Sequence, residues 1–129
     1  MSAMDVGKRL VELCKAGEYE RAVEELYADD AVHIEAMECE PGAGRETKGK
    51  AAILEGTRLW MRTMEVHDGG VDGPYPCDDE FIVPMWSDST PSEGPMAGQR
   101  FTMREAGKYK VKDGKIVEGR FYYDMDMGG

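Results

Sequence analysis

The chain has 129 residues and a formal net charge of -10. That length makes one domain, residues 1–129, large enough to bury a core without a metal or disulfide staple. A polyanion of this kind is repelled by phosphate backbones and anionic lipid, which disfavours nucleic acid and membranes as partners. The three cysteines, Cys14, Cys39 and Cys77, are odd in number, widely spaced and form no CxxC pair. Such usage suits a reduced cytoplasm better than a disulfide scaffold. His33 and His67 are the only histidines, so a histidine-rich transition-metal site is not expected, and no cofactor is called for. Asp5, Lys8 and Arg9 interrupt the N-terminal residues, which lack the apolar core of a signal peptide. No run approaches the ~18–20 apolar residues of a membrane span.

In chain order, Val6, Leu10, Leu13 and Cys14 recur at helical spacing and predict a helix over about Met4–Ala16, stopped by Gly17. A second helix is predicted over about Glu18–Tyr27, with Asp29 and Asp30 breaking it. A short strand, Ala31–Met37, follows. Pro41, Gly42 and Gly44 keep 38–48 an irregular loop. A third helix, about Lys50–Thr63, sets Ile53, Thr57, Trp60, Met61 and Met64 on its buried stripe. Beyond it the pattern is strand-like. Glu65–Pro74 is weak, and Glu80–Ser87 is stronger, with Pro84 requiring an edge or a bulge. Gln99–Val111 and Lys115–Met125 form a long hairpin across Asp113-Gly114. Helices first and a mostly antiparallel sheet after them is the α+β pattern.

Alternation along the hairpin separates two faces. Phe101, Met103, Glu105, Gly107, Tyr109 and Val111 share one, matched in the last strand by Val117, Gly119, Phe121, Tyr123 and Met125. Arg100, Arg104, Lys108, Glu118, Arg120 and Asp124 share the other, a solvated surface or a dimer interface. A three-residue loop with a glycine bulge pairs Tyr109 with Val117 and Lys108 with Glu118, which sets apolar against apolar and charge against opposite charge. In that register Glu105 stands on the apolar face, opposite Phe121.

Leu26-Tyr27-Ala28-Asp29-Asp30-Ala31, Gly49-Lys50-Ala51-Ala52-Ile53, Asp113-Gly114-Lys115-Ile116-Val117 and Phe121-Tyr122-Tyr123 together resemble the NTF2-like superfamily, in its SnoaL-like branch. The resemblance covers nearly the whole chain. It implies three N-terminal helices packed on a curved, mostly antiparallel sheet, a cone-shaped pocket between them, and a homodimer built on the outer sheet face. Relatives include ketosteroid isomerases and polyketide cyclases. The general base of the isomerases falls at Glu35. Their oxyanion Tyr and Asp fall at about Leu10 and Gly107, and the last-strand acid of the cyclases and epoxide hydrolases falls at Phe121. No member's full site is reproduced.

Glu35 and Glu105 are therefore the candidate acid–base pair. Desolvation raises a carboxyl pKa, and two neighbouring acids titrate as a pair with one tending to stay protonated. The resemblance turns Glu35 toward the pocket, whereas the apolar Val32, Ile34 and Ala36 would turn it, and His33 with it, toward solvent. His33, two residues before Glu35, is a candidate assistant. Glu105 reads equally as a structural buried acid. Trp60, Met64, Phe81, Trp86, Met103, Tyr109, Phe121 and Tyr123 are the candidate binding residues, and the 10 methionines suit an adaptable pocket for a small hydrophobic molecule. Two functions are open. One is acid–base conversion of such a molecule by isomerase-, cyclase- or dehydratase-like proton transfer. The other is a non-catalytic dimeric binding module.

Overall fold

The computed structural model describes residues 2–38 and 42–126, with positions 125 and 126 described by backbone alone. Helix α1 spans Ala3–Lys15. It starts at Ser2, whose Oγ accepts from the Asp5 backbone N–H at 3.1 Å while the Asp5 carboxylate accepts from the Ser2 N–H. Val6, Leu10 and Leu13 form its buried stripe. Helix α2 spans Tyr19–Leu26 and carries no basic residue in its last turn. Its C-terminal carbonyls are served from elsewhere: Lys50 Nζ donates to Glu24 O at 2.6 Å, and Lys115 Nζ to Glu25 O at 2.7 Å. Two ammonium groups thus meet the negative end of the helix dipole. Arg9 joins α1 to α2 through Glu25 at 2.7 Å. Helix α3, Lys50–Thr63, is tied to α2 by Arg58 and Glu20 at 3.1 Å.

Seven strands follow the order β2-β1-β7-β6-β5-β3, with β4 paired to β5. They are β1 Tyr27–Ile34, β2 Glu46–Lys48, β3 Met64–Val71, β4 Tyr75–Cys77, β5 Glu80–Pro91, β6 Phe101–Lys112 and β7 Lys115–Asp126. The α+β class holds, with one correction: the helices are not all N-terminal to the sheet, because β1 and β2 come before α3. The sheet is mostly antiparallel, as expected, and β1 runs parallel to β7. Pro84 stands where its missing N–H costs nothing: the β3 ladder ends at Val71 opposite Met85, and the β4 ladder begins only at Ile82.

β1 begins at Tyr27, four residues earlier than the pattern predicted. Asp29 and Asp30 do not end a helix but lie in a bulged stretch, since Tyr27 is opposite Ile116 and Val32 opposite Glu118. The hairpin register also differs. Asp113 and Gly114 form a two-residue turn with φ of 52° and 76°, the left-handed values such a turn needs. The bulge lies further on, at Val117. Ile116 consequently pairs with Val111 and is fully buried beside it, and beyond the bulge Tyr109 faces Gly119 and Glu105 faces Tyr123. The slip is two residues, so every later side chain keeps its predicted face.

Among the described residues no helix is long and apolar enough to cross a membrane.

Candidate functional site

Helix α1 packs on β3, β4, β5 and β6, and α3 on α2, β1, β2 and β3. Between them the inner face of the sheet is incompletely covered. His33, Glu35, Met85, Met103, Glu105, Phe121 and Tyr123 are each half-buried there, beside fully buried neighbours such as Phe81, Val83 and Tyr109. α3 roofs this band loosely. Ile53 is its one buried residue; Leu54, Thr57, Trp60 and Met64 are half-buried. Met61, predicted on the buried stripe, is 40% exposed.

Pairing brings the two carboxyls onto one surface. Glu105 faces Tyr123 across β6 and β7, and the Tyr123 hydroxyl bonds the Glu35 carboxylate. Burial raises the Glu35 carboxyl, and the Tyr123 hydrogen bond partly offsets the rise. Burial also pushes Glu105 up to about 7, and the nearby charge of Glu35 adds to the effect. Glu35 directly follows β1 and continues its alternation, with its N–H bonding the Arg45 carbonyl at 2.8 Å. Val32 and Ile34 pair with Glu118 and Arg120 on the outer face, which leaves His33 and Glu35 on the inner one. The simple alternation argument, which turned Glu35 outward, is corrected by a sheet that carries apolar residues on both faces.

His33 is engaged by Tyr27, with Nε2 2.8 Å from the Tyr27 hydroxyl. Burial lowers its pKa to about 4, so it is neutral at ordinary pH. Tyr109 is hydrogen-bonded to Tyr27, and burial holds both phenols well above their ordinary range. Phe81 stacks on Tyr109 at 5.1 Å, and Phe121 meets Tyr109 and His33 edge-on at 5.8 and 4.8 Å. Cys14 reaches the same region from α1. Burial first, and the Glu105 charge second, push its thiol up to about 11.

The structure thus brings together Glu35, Glu105, His33, Tyr109, Phe121 and Tyr123. Met103 lies further along the inner face, opposite Ser87. Trp60 meets the Tyr19 ring at 5.7 Å, and Met64 is half-buried where α3 passes into β3. Phe81 is core, 1% exposed beneath Tyr109. Trp86 is not part of the group: it pairs with Arg104 on the outer face, lies across Gly70 and is 42% exposed. Sequence reasoning missed Tyr27 and the placement of Cys14. The available signal for Tyr27 was its even spacing from His33, which was obscured once Tyr27 was assigned to a helix end. Among the described residues no group of His, Cys, Asp and Glu has the geometry of a metal site. Cys39 and its neighbours at positions 40 and 41 of the 38–48 loop lie outside the described residues.

The model of the SnoaL-like domain matches residues 1–123. A candidate SnoaL-like polyketide cyclase from Mesorhizobium loti is 40% identical over 95% of this chain and 100% of its own, with a TM-score of 0.86. An NTF2-like protein from Burkholderia thailandensis has the same fold at 18% identity, covering 96% and 92% of the two chains with a TM-score of 0.77. A candidate isomerase from Bacillus subtilis does so at 17% identity, covering 96% and 90%, with a TM-score of 0.73. No curated protein matches the sequence.

Proposed function

The chain belongs to the SnoaL-like domain family, and from that premise we propose that it binds a small hydrophobic molecule and converts it by proton transfer. The observation that carries the reading is the carboxyl pair. Glu35 and Glu105 share one inner surface, both are raised by desolvation, and neither is drawn back down by a cationic side chain. Glu35, with Tyr123 donating to it, is the base. Glu105, raised to about 7 with Glu35's charge opposing its ionisation, is the acid. On a ketone, Glu35 takes the proton from the carbon next to the carbonyl as Glu105 gives its own to the carbonyl oxygen. The resulting neutral enol returns to a ketone by the reverse transfers, at the same carbon or at a conjugated one. Phe121, Tyr109, Met85 and Met103 supply the apolar walls, and the names of the relatives, candidate cyclase and candidate isomerase, fit such chemistry. The cysteine usage keeps a reduced, cytoplasmic setting as part of this reading.

The test uses a panel of cyclic ketones in D2O, with deuterium incorporation followed by NMR. The protein accelerates exchange of at least one of them, and Glu35→Gln slows that exchange by ~10²–10⁴-fold, the usual contribution of a positioned acid or base. Binding of panel members with none exchanging faster with the wild type than with Glu35→Gln would favour the non-catalytic binding module instead.

We further propose that the protein is a homodimer built on the outer face of the sheet. Pro84, Ala106 and Tyr122 form one row across β5, β6 and β7, and Ile82, Trp86 and Tyr122 are 41%, 42% and 51% exposed around it. An apolar patch edged by Arg104, Arg120 and Asp124 suits a self-complementary two-fold contact.

A further inference from the structure

Tyr27, Tyr109 and His33 do no work in a base–acid pair as such, yet they are polar, deep and joined in one line. The Tyr27 hydroxyl bonds His33 Nε2 on one side and Tyr109 on the other. Two glycines make room for that line. The Tyr109 ring folds back along β6 over Gly107, where a Cβ would come within 2.8 Å of the ring and 3.1 Å of the hydroxyl oxygen. The His33 ring lies over Gly119, where a Cβ would come within 3.0 Å of it. Folding back over Gly107 carries the Tyr109 hydroxyl toward Glu105, the next inward-facing residue of β6.

Each hydroxyl has one proton to give. A neutral imidazole nitrogen is a better acceptor than a phenol oxygen, so Tyr27 donates to Nε2 and the His33 proton resides on Nδ1. Tyr27 then has no proton left for Tyr109, and the bond between the two phenols must be one in which Tyr109 donates. Tyr109 thereby turns its proton away from Glu105 and presents only lone pairs to it. We propose that Tyr27 and His33 are positioning residues that hold the Tyr109 proton away from Glu105, so that Glu105 rather than Glu35 keeps the shared proton. The use of this device rests on the acid–base reading above; its test does not. Among the described residues, the groups that face Glu105 are Glu35, Tyr123 across β7, Tyr109 on its own strand and Cys14 from α1. Tyr123 is engaged with Glu35, so Tyr109 is the phenol whose direction decides whether Glu105 meets a donor.

The experiment is a carbon-13 carboxyl NMR titration of Glu105 in the wild type, Tyr27→Phe, Tyr109→Phe and the double variant. The wild-type midpoint lies near 7. Tyr27→Phe frees the Tyr109 hydroxyl to turn and donate to the carboxylate, which lowers the midpoint by about one pH unit or more. Tyr109→Phe leaves it high, and so does the double variant, which has no hydroxyl to turn. An unchanged midpoint in Tyr27→Phe overturns the proposal, and so does an equal fall in the double variant, which would reflect water entering a loosened pocket. Nitrogen-15 NMR of His33 in the wild type decides independently, even if a variant does not fold: an unprotonated Nε2 is expected, and a protonated one reverses the line and overturns it. A protein that exchanges no ketone would sink the acid–base reading and leave these measurements standing.

Discussion

Burial acts in opposite senses on two residues of the same inner sheet face. Glu105 has its pKa raised from 4.5 to about 7, so its contribution to stability is fully present below pH 4.5 and is lost as pH rises through 7. His33 has its pKa lowered from 6.5 to about 4, so its contribution is present above pH 6.5 and is lost as pH falls through 4. Each is worth ~3 kcal/mol at about 1.36 kcal/mol per pH unit, and the two nearly cancel between pH 4.5 and 6.5. Urea denaturation of the wild type should therefore show a shallower pH dependence in that window than a variant lacking either group. In Glu105→Gln stability should climb by ~3 kcal/mol from pH 4 to 6.5. In His33→Gln it should drop by a similar amount from pH 4.5 to 7. A wild type as steep as either variant would mean that one of the two groups is solvated. Glu105 was legible in the sequence, as a carboxylate on an otherwise apolar strand face. The neutrality of His33 was not, because it depends on Gly119 and Phe121 of β7 meeting it beside Tyr27 of its own strand.

At the scale of the element, glycine content has opposite meanings in a strand and in a helix. Gly107 is covered by the Tyr109 ring, so Gly107→Ala forces the ring and its hydroxyl to move and should cost ~1–3 kcal/mol, as overpacking does. Gly56, inside α3, has open space where an added methyl would stand, with no neighbouring atom within 4 Å, and Gly56→Ala should stabilise by ~1 kcal/mol through helix propensity. Denaturation midpoints of the two variants, measured side by side, check both signs. The hairpin shows the limit of local reading. Asp113-Gly114 announces its turn. The bulge at Val117 has no local signal, since it exists to bring Ile116 beside Val111 in the core while returning Gly119 and Phe121 to the inner face.

At the scale of the molecule, the sheet is apolar toward the helices and carries a second, smaller apolar patch on its otherwise charged outward face. Ile82, Trp86 and Tyr122 are too exposed to serve the fold of a single chain. The proposed dimer predicts that the wild type sediments at twice the 14.4 kDa of one chain. Replacing Trp86 and Tyr122 together by Glu should give a folded monomer, because neither side chain contributes to the inner core. A monomeric wild type at micromolar concentration would remove the proposal. The outward apolar patch also explains why Trp86 was misplaced by sequence reasoning: hydrophobicity alone does not say which of two faces a residue occupies.

The sequence by itself determined the class of fold, the three helices, the long hairpin and the presence of a carboxylate on an apolar face. These follow from periodicities of 3.6 and 2 and from turn chemistry, which act between neighbours along the chain. Only the tertiary structure decided that β1 runs parallel to β7, that Glu35 faces inward and that His33 is joined to Tyr27 rather than to Glu35. Those facts depend on contacts between residues far apart in sequence, where the packing of whole strands outweighs the preference of any one residue.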